Sequence, residues 1–139
     1  MAYTGQPTPS TVVNIGQIKV SDGKSVNVTV PANSGTVAGS FYVLDGFFGL
    51  AIENIAVADN TSGRTIALQI EQAEYITDQI DKTKAFVKGA ALYFDPSKGL
   101  FTDDATVSGS FMVGRVSDAK SAESTIQFIL YPQTGATKA

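Results

Sequence analysis

The chain has 139 residues, of which 43% are hydrophobic and 17% charged, a profile that fits one folded domain of about 100–200 residues and excludes a disordered chain. It contains neither cysteine nor histidine, which excludes disulfides, thiolate nucleophiles, Ser-His-Asp and Cys-His catalysis, and metal centres built on those ligands. Net charge is −3, from 10 basic and 13 acidic residues, and the basic side chains are scattered singly, so no stripe follows a nucleic-acid backbone.

The segment Ala2 to Thr11 is rich in Gly, Pro, Ser and Thr. Pro7 and Pro9 hold their neighbours extended, so residues 1–13 read as an arm. Residues Met1–Gln6 lack the charged-then-apolar pattern of a secretory signal, and no apolar run approaches the ~18 residues of a membrane-spanning helix. The expectation is a soluble protein made in a cytoplasm, with no membrane partner.

A β-domain is expected from 14 to 132. Val26, Val28 and Val30 alternate with polar residues over Lys24–Val30, the pattern of a half-buried strand, between turn clusters at Ser21–Gly23 and Pro31–Gly35. Asp45-Gly46 between Phe41–Leu44 and Phe47–Ile52 predicts a hairpin with a two-residue type I′ turn. That turn sets Leu44 opposite Phe47 and Val43 opposite Phe48. Tyr42, Leu44 and Phe47 share one face; Phe41, Val43, Phe48 and Leu50 share the other. Both faces are apolar, so both should be buried. One can meet the domain core, and the second either meets the same chain or a second subunit. Phe41, Val43, Phe48 and Leu50 are the candidate oligomer interface.

A turn over Ala58–Gly63 precedes alternation at Ile66, Leu68 and Ile70. This strand is expected to run on to about Ile76, with a turn or single helical turn around Asp78–Lys84. Ala91–Phe94 and Leu100–Thr102 form a second hairpin around Asp95-Pro96-Ser97-Lys98-Gly99. Phe111–Val116 and Thr125–Tyr131 are further strands, the last stopped by Pro132. Residues 133–139 read as a flexible tail. Gly39–Val43 echoes Gly109–Val113, too short a match for a repeat. Short strands at regular spacing indicate an all-β fold, a small barrel or sandwich of antiparallel strands.

The motifs that could carry chemistry are poor. Gly23-Lys24-Ser25 lacks the earlier glycine of a phosphate loop, since position 18 is Ile, and a strand follows it. Ser21/Lys24 and Ser117/Lys120 have the spacing of an acylating Ser-Lys pair but fall in predicted turns. Glu71/Glu74, Asp78/Asp81 and Asp103/Asp104 are paired carboxylates without a metal-loop pattern, and read as turn residues. Asn27 and Asn60 head formal glycosylation sequons, without consequence in a cytoplasmic protein. No catalytic, cofactor or metal residue is assigned, and no enzyme activity is expected.

From Gly39 to Tyr131 the chain resembles the bacteriophage head-decoration, or capsid-cement, family. The resemblance rests on Gly49-Leu50-Ala51, the turn ending at Gly63, and Thr65–Glu71. It continues through Lys88-Gly89-Ala90-Ala91-Leu92-Tyr93-Phe94-Asp95, then Lys98–Thr102, Val113-Gly114-Arg115-Val116 and the closing strand Thr125–Leu130. The stretch before about Pro31 is longer than a minimal member and reads as an added strand and arm. The resemblance implies a virion structural protein on the outer surface of an icosahedral head, bound to the major capsid protein, often as a homotrimer, and stiffening the shell against internal pressure. Tyr3, Pro7, Pro9, Val12 and Val13 of the arm are the candidate capsid-binding residues. The alternatives are another virion component, such as a tail or spike subunit, and a carbohydrate-binding module.

Overall fold

The computed structural model describes residues 19–133. Nine strands form two antiparallel sheets. The first has the order β1-β4-β3-β2, built from Ser25–Val30 (β1), Phe41–Leu44 (β2), Phe47–Ala51 (β3) and Arg64–Gln69 (β4). The second has the order β5-β9-β8-β6-β7, built from Glu74–Thr77 (β5), Ala91–Asp95 (β6), Leu100–Thr102 (β7), Phe111–Asp118 (β8) and Ile126–Leu130 (β9). A single 3₁₀ turn lies at Val57–Asp59. The all-β expectation holds.

The β2–β3 hairpin has the predicted register, with Leu44 opposite Phe47 and Val43 opposite Phe48. Asp45 and Gly46 both take positive φ, 52° and 82°, as a type I′ turn requires. Both faces of this hairpin are buried, and both burials are internal. Phe41 and Phe48, each 1% exposed, point into a core supplied mainly by the second sheet: Leu92, Phe94, Phe101, Phe111, Ile126, Phe128 and Leu130. On the other face, Tyr42, Leu44 and Phe47 pack on a smaller core of Val28, Val30, Ala51, Ile55, Ile66 and Leu68. The first sheet creates that second core by curling on itself. The Thr29 N–H of β1 donates to Asp45 Oδ2 at 2.7 Å, bringing the free edge of β1 to the β2–β3 turn.

One expected strand is broken in two. β4 ends at Gln69, the chain leaves the first sheet over Ile70–Ala73, and Glu74–Thr77 enters the second sheet beside β9. A single strand from Thr65 to Ile76 would have kept Tyr75 in the first sheet. Instead Tyr75 stacks on Phe128, with ring centroids 5.7 Å apart, and meets Phe41 edge-on at 5.5 Å. Aromatic pairing across the sheets outweighs local strand propensity here.

The faint echo at Gly39 and Gly109 has a physical meaning. Val37-Ala38-Gly39-Ser40 and Val107-Ser108-Gly109-Ser110 are the same turn: the Ser N–H donates to the Val carbonyl, at 3.1 Å in both. Val87-Lys88-Gly89-Ala90 is a third copy, at 2.9 Å. The third residue takes a φ of 91°, 81° and 87°, which only glycine reaches without strain. Each turn delivers the chain into a strand: β2, β8 and β6 in that order.

Two glutamines join the sheets. Gln79 Oε1 accepts the Phe41 N–H at 2.7 Å, and its Nε2 donates to Phe41 O and to Gly99 O, both at 2.9 Å. Its amide imitates a neighbouring strand on the outer edge of β2. The Gln79 backbone carbonyl accepts the Phe101 N–H at 2.9 Å, and Phe101 O accepts the Asp81 N–H at 2.9 Å. Residues 79–81 therefore link the edge of β2 to the edge of β7. Gln133 repeats the device on β3: its Oε1 accepts the Phe48 N–H at 3.0 Å and its Nε2 donates to Phe48 O at 2.9 Å. Replacing Gln79 with Ala leaves at least two backbone groups of Phe41 without partners. A loss of about 1–3 kcal/mol is expected, measured by urea unfolding, against a change within about 0.5 kcal/mol for Gln127→Ala. Equal midpoints for the two variants would refute the clamp.

Candidate functional site

The residues expected to carry function separate into three groups. Tyr3, Pro7, Pro9, Val12 and Val13 lie outside the described residues. Phe41 and Phe48, expected at an oligomer interface, are covered by the chain's own second sheet and have no free surface to offer a second chain. Val43 and Leu50 are half-buried against the same core. The apolar demand that the sequence leaves open between the same chain and a second subunit is met within the molecule, because the first sheet curls and the second covers its other face.

The exposed apolar side chains lie elsewhere. Val37, Ile52 and Val57 are 58%, 56% and 56% exposed. They sit on two loops that run antiparallel, joined by a bridge between Thr36 and Ile55 and by Gly39 N–H to Ala51 O at 2.9 Å. Ala38 N–H to Asn54 Oδ1 at 2.8 Å and Thr36 Oγ1 to Glu53 O at 2.8 Å fix the same loops. Behind them Asn60 is fully buried. Its amide donates to Pro31 O at 2.8 Å and Ser34 O at 2.9 Å, and its Oδ1 accepts the Gly63 N–H at 2.9 Å. A side chain so enclosed is no glycan acceptor. On the outer face of the second sheet, Ile76 and Ile129 are exposed on the neighbouring strands β5 and β9. A cleft of about 410 Å³ opens beside β2, lined by Ser40, Tyr42, Val43, Gln79, Pro96 and Gly99 among others. Sequence reasoning passed over Val37 and Val57, which lie between the predicted elements, and read Ile52 as the end of a hairpin strand, whereas the strand ends at Ala51. Their signal is an apolar residue in a loop with no alternating partner.

The carboxylates are engaged in structure. Asp81, Asp95 and Asp104 repeat one pattern, Asp-x-Ser/Thr. In each, Oδ1 accepts both the backbone N–H and the hydroxyl of the residue two ahead: Thr83 at 3.0 and 2.6 Å, Ser97 at 3.0 and 2.7 Å, Thr106 at 2.9 and 2.6 Å. The hydroxyl bond is the main reason that each carboxyl titrates below its ordinary value. Asp103 Oδ2 accepts the Phe86 N–H at 3.0 Å, and Lys84 reaches Asp104 at 3.4 Å. Glu71 pairs with Lys24 at 3.8 Å, and Glu74 accepts the Ser117 hydroxyl. Neither Ser-Lys spacing forms a catalytic pair. Ser21 Oγ accepts the Gly23 N–H, and Lys120 donates to Lys82 O. Among the described residues no cluster of acidic side chains is arranged to hold a metal ion, and no helix is long and apolar enough to cross a membrane.

Because these three carboxyls are held below the ordinary Asp value of 3.8, their stabilisation is fully present above that pH and is lost as pH falls through the lower folded values. Stability measured by denaturant midpoint should therefore fall as pH drops from 5 toward 2. Ser97→Ala and Thr83→Val should each flatten that fall. An unchanged slope in both variants would show that the turns do not set the acid limb.

The comparisons extend this picture. A protein-family profile described as phage cement protein matches residues 20–132. It takes in β1, which the sequence reading set apart as an added strand, and leaves residues 1–19 and 133–139 outside. No curated protein and no solved structure matches the chain. With a family profile spanning both sheets, the chain belongs to the phage cement protein family.

Proposed function

We propose that this protein binds the outer surface of the mature icosahedral head, on the major capsid protein, and stabilises the shell against internal pressure. The observation that carries the proposal is the family match over both sheets. The structure supplies a physical setting for it. Val37, Ile52 and Val57 present apolar surface on loops pinned by hydrogen bonds. Fixed loops lose little entropy on docking, so more of the contact energy becomes affinity.

In this reading the protein self-associates as a homotrimer, with contacts away from Phe41 and Phe48. The N-terminal residues Tyr3, Pro7, Pro9, Val12 and Val13 add capsid contacts. An extended segment of ten residues reaches about 33–36 Å, enough to cross onto a neighbouring subunit, and prolines reduce the entropy lost on docking.

Expanded heads lacking the protein, mixed with purified chain, should bind it to saturation in a sedimentation assay and then survive heating or osmotic shock that breaks bare heads. Failure to saturate would refute the capsid reading. Deleting residues 2–11 should weaken binding tenfold or more, about 1.4 kcal/mol. Unchanged affinity would refute the role of the arm and leave the capsid reading standing.

A further inference from the structure

The β2–β3 hairpin does not end with its strands. Phe41 pairs with Leu50, and five residues further out on each side Thr36 bridges Ile55. The register is unchanged, so residues 36–40 and 51–55 continue the hairpin as a ribbon, with the 3₁₀ turn Val57–Asp59 at its end. Three side chains tie the backbone of this tip. Tyr42 Oη accepts the Val37 N–H, Asn54 Oδ1 accepts the Ala38 N–H, and Thr36 Oγ1 donates to Glu53 O, each at 2.8 Å. Gly35 lets the two loops close up: a Cβ there would collide with the Ile55 carbonyl and stand 3.2 Å from Val57 Cγ2.

The rigid tip displays apolar side chains that the core does not take. Val37, Ile52 and Val57 are each more than half exposed, and Ala38, Ala56 and Ala58 around them are exposed as well. Apolar side chains gathered on one held element, rather than scattered singly, mark a contact surface. The charge of the tip is of one sign. Residues 34–40 and 52–60 contain Glu53 and Asp59, both exposed, and no Lys or Arg. The apolar pair on the outer face of the second sheet is set differently. Ile129 lies there in one row between Glu74 and Arg115, so that face carries both signs and favours neither in a partner.

We propose that this ribbon tip is the face that docks on the major capsid protein, and that it seats in an apolar recess rimmed by Lys or Arg side chains. The inference rests on the capsid reading above and deepens it, because the family match makes a phage capsid the partner. Val37, Ile52 and Val57 supply the desolvated centre from which most contact energy comes. Glu53 and Asp59 select the sign of the rim, since opposite charge speeds encounter and like charge repels the wrong surface. The hydrogen bonds that hold the tip have met its ordering cost before docking.

The test uses the full chain and expanded heads that lack it. Because the chain has no cysteine, Val57→Cys and Ile76→Cys each carry a single thiol at an exposed position. On heads, Val57→Cys should react with a maleimide about tenfold or more slowly than in the free protein, and should be protected more strongly than Ile76→Cys. Protection at residue 57 that is absent, or no greater than at residue 76, would overturn the proposal and leave the capsid reading standing. A wild-type chain that does not saturate heads would overturn both. The charge of the recess has its own readout. The double variant Glu53→Lys, Asp59→Lys, with a urea midpoint equal to that of the wild type, should bind heads about tenfold or more weakly at low salt, and wild-type binding should weaken as salt is raised. Unchanged or tighter binding of the double variant would overturn the basic rim.

Discussion

The Phe41 and Phe48 rings hold the molecule together. They leave the first sheet side by side, stacked at 5.7 Å, and enter the second. Phe41 meets Phe101 at 5.2 Å and Phe128 at 5.4 Å, and Phe48 meets Phe94 at 4.7 Å. Truncating one buried Phe costs about 3–5 kcal/mol, a large part of the 5–15 kcal/mol that keeps a domain folded. The same two residues receive the Gln79 and Gln133 clamps on their backbones. Ring and backbone are thus fixed together. A sliding hairpin would have to break both.

The rest of the architecture follows from that wedge. Once one hairpin face is given to the second sheet, Tyr42, Leu44 and Phe47 on the other face need cover. The first sheet provides it by curling, and Thr29 reaching Asp45 closes the curl. The curl in turn requires the chain between β1 and β4 to be held at a fixed span. Fully buried Asn60 does this, with hydrogen bonds to backbone atoms on both sides of the loop. No buried side-chain polar atom among the described residues lacks a partner, so the polar groups that the curl encloses cost little.

In this member of the phage cement protein family many polar side chains are used in the framework of the fold. Asp81, Asp95 and Asp104 tie loops, Glu71 and Glu74 brace strands, and the hydroxyls of Thr83, Ser97, Thr106 and Ser117 are bound to these carboxylates. Apolar residues that the core does not use are displayed on pinned loops and on the outer face of the second sheet. A pinned apolar surface is the economical form for docking, since ordering costs have been met during folding.

The sequence by itself determined most of the strands, the hairpin register and the absence of cysteine and histidine chemistry. Asp45-Gly46 sets a turn type locally, and alternation at Val26–Val30 and Ile126–Leu130 sets faces locally, so both are readable from a few neighbouring residues. The family blocks were legible for the same reason: Lys88–Asp95 and Thr65–Glu71 each fold as one strand with its entry turn. Only the tertiary structure decided which sheet each strand joins. Tyr75 left the first sheet for Phe128, a partner 53 residues further on. The burial of Phe41 and Phe48 within one chain was equally invisible, because an apolar face records that it needs cover and not what supplies it. Gln79 and Gln133 were missed because a glutamine carries no periodic signal. Its role depends on which backbone edge the fold brings within 3 Å of its amide.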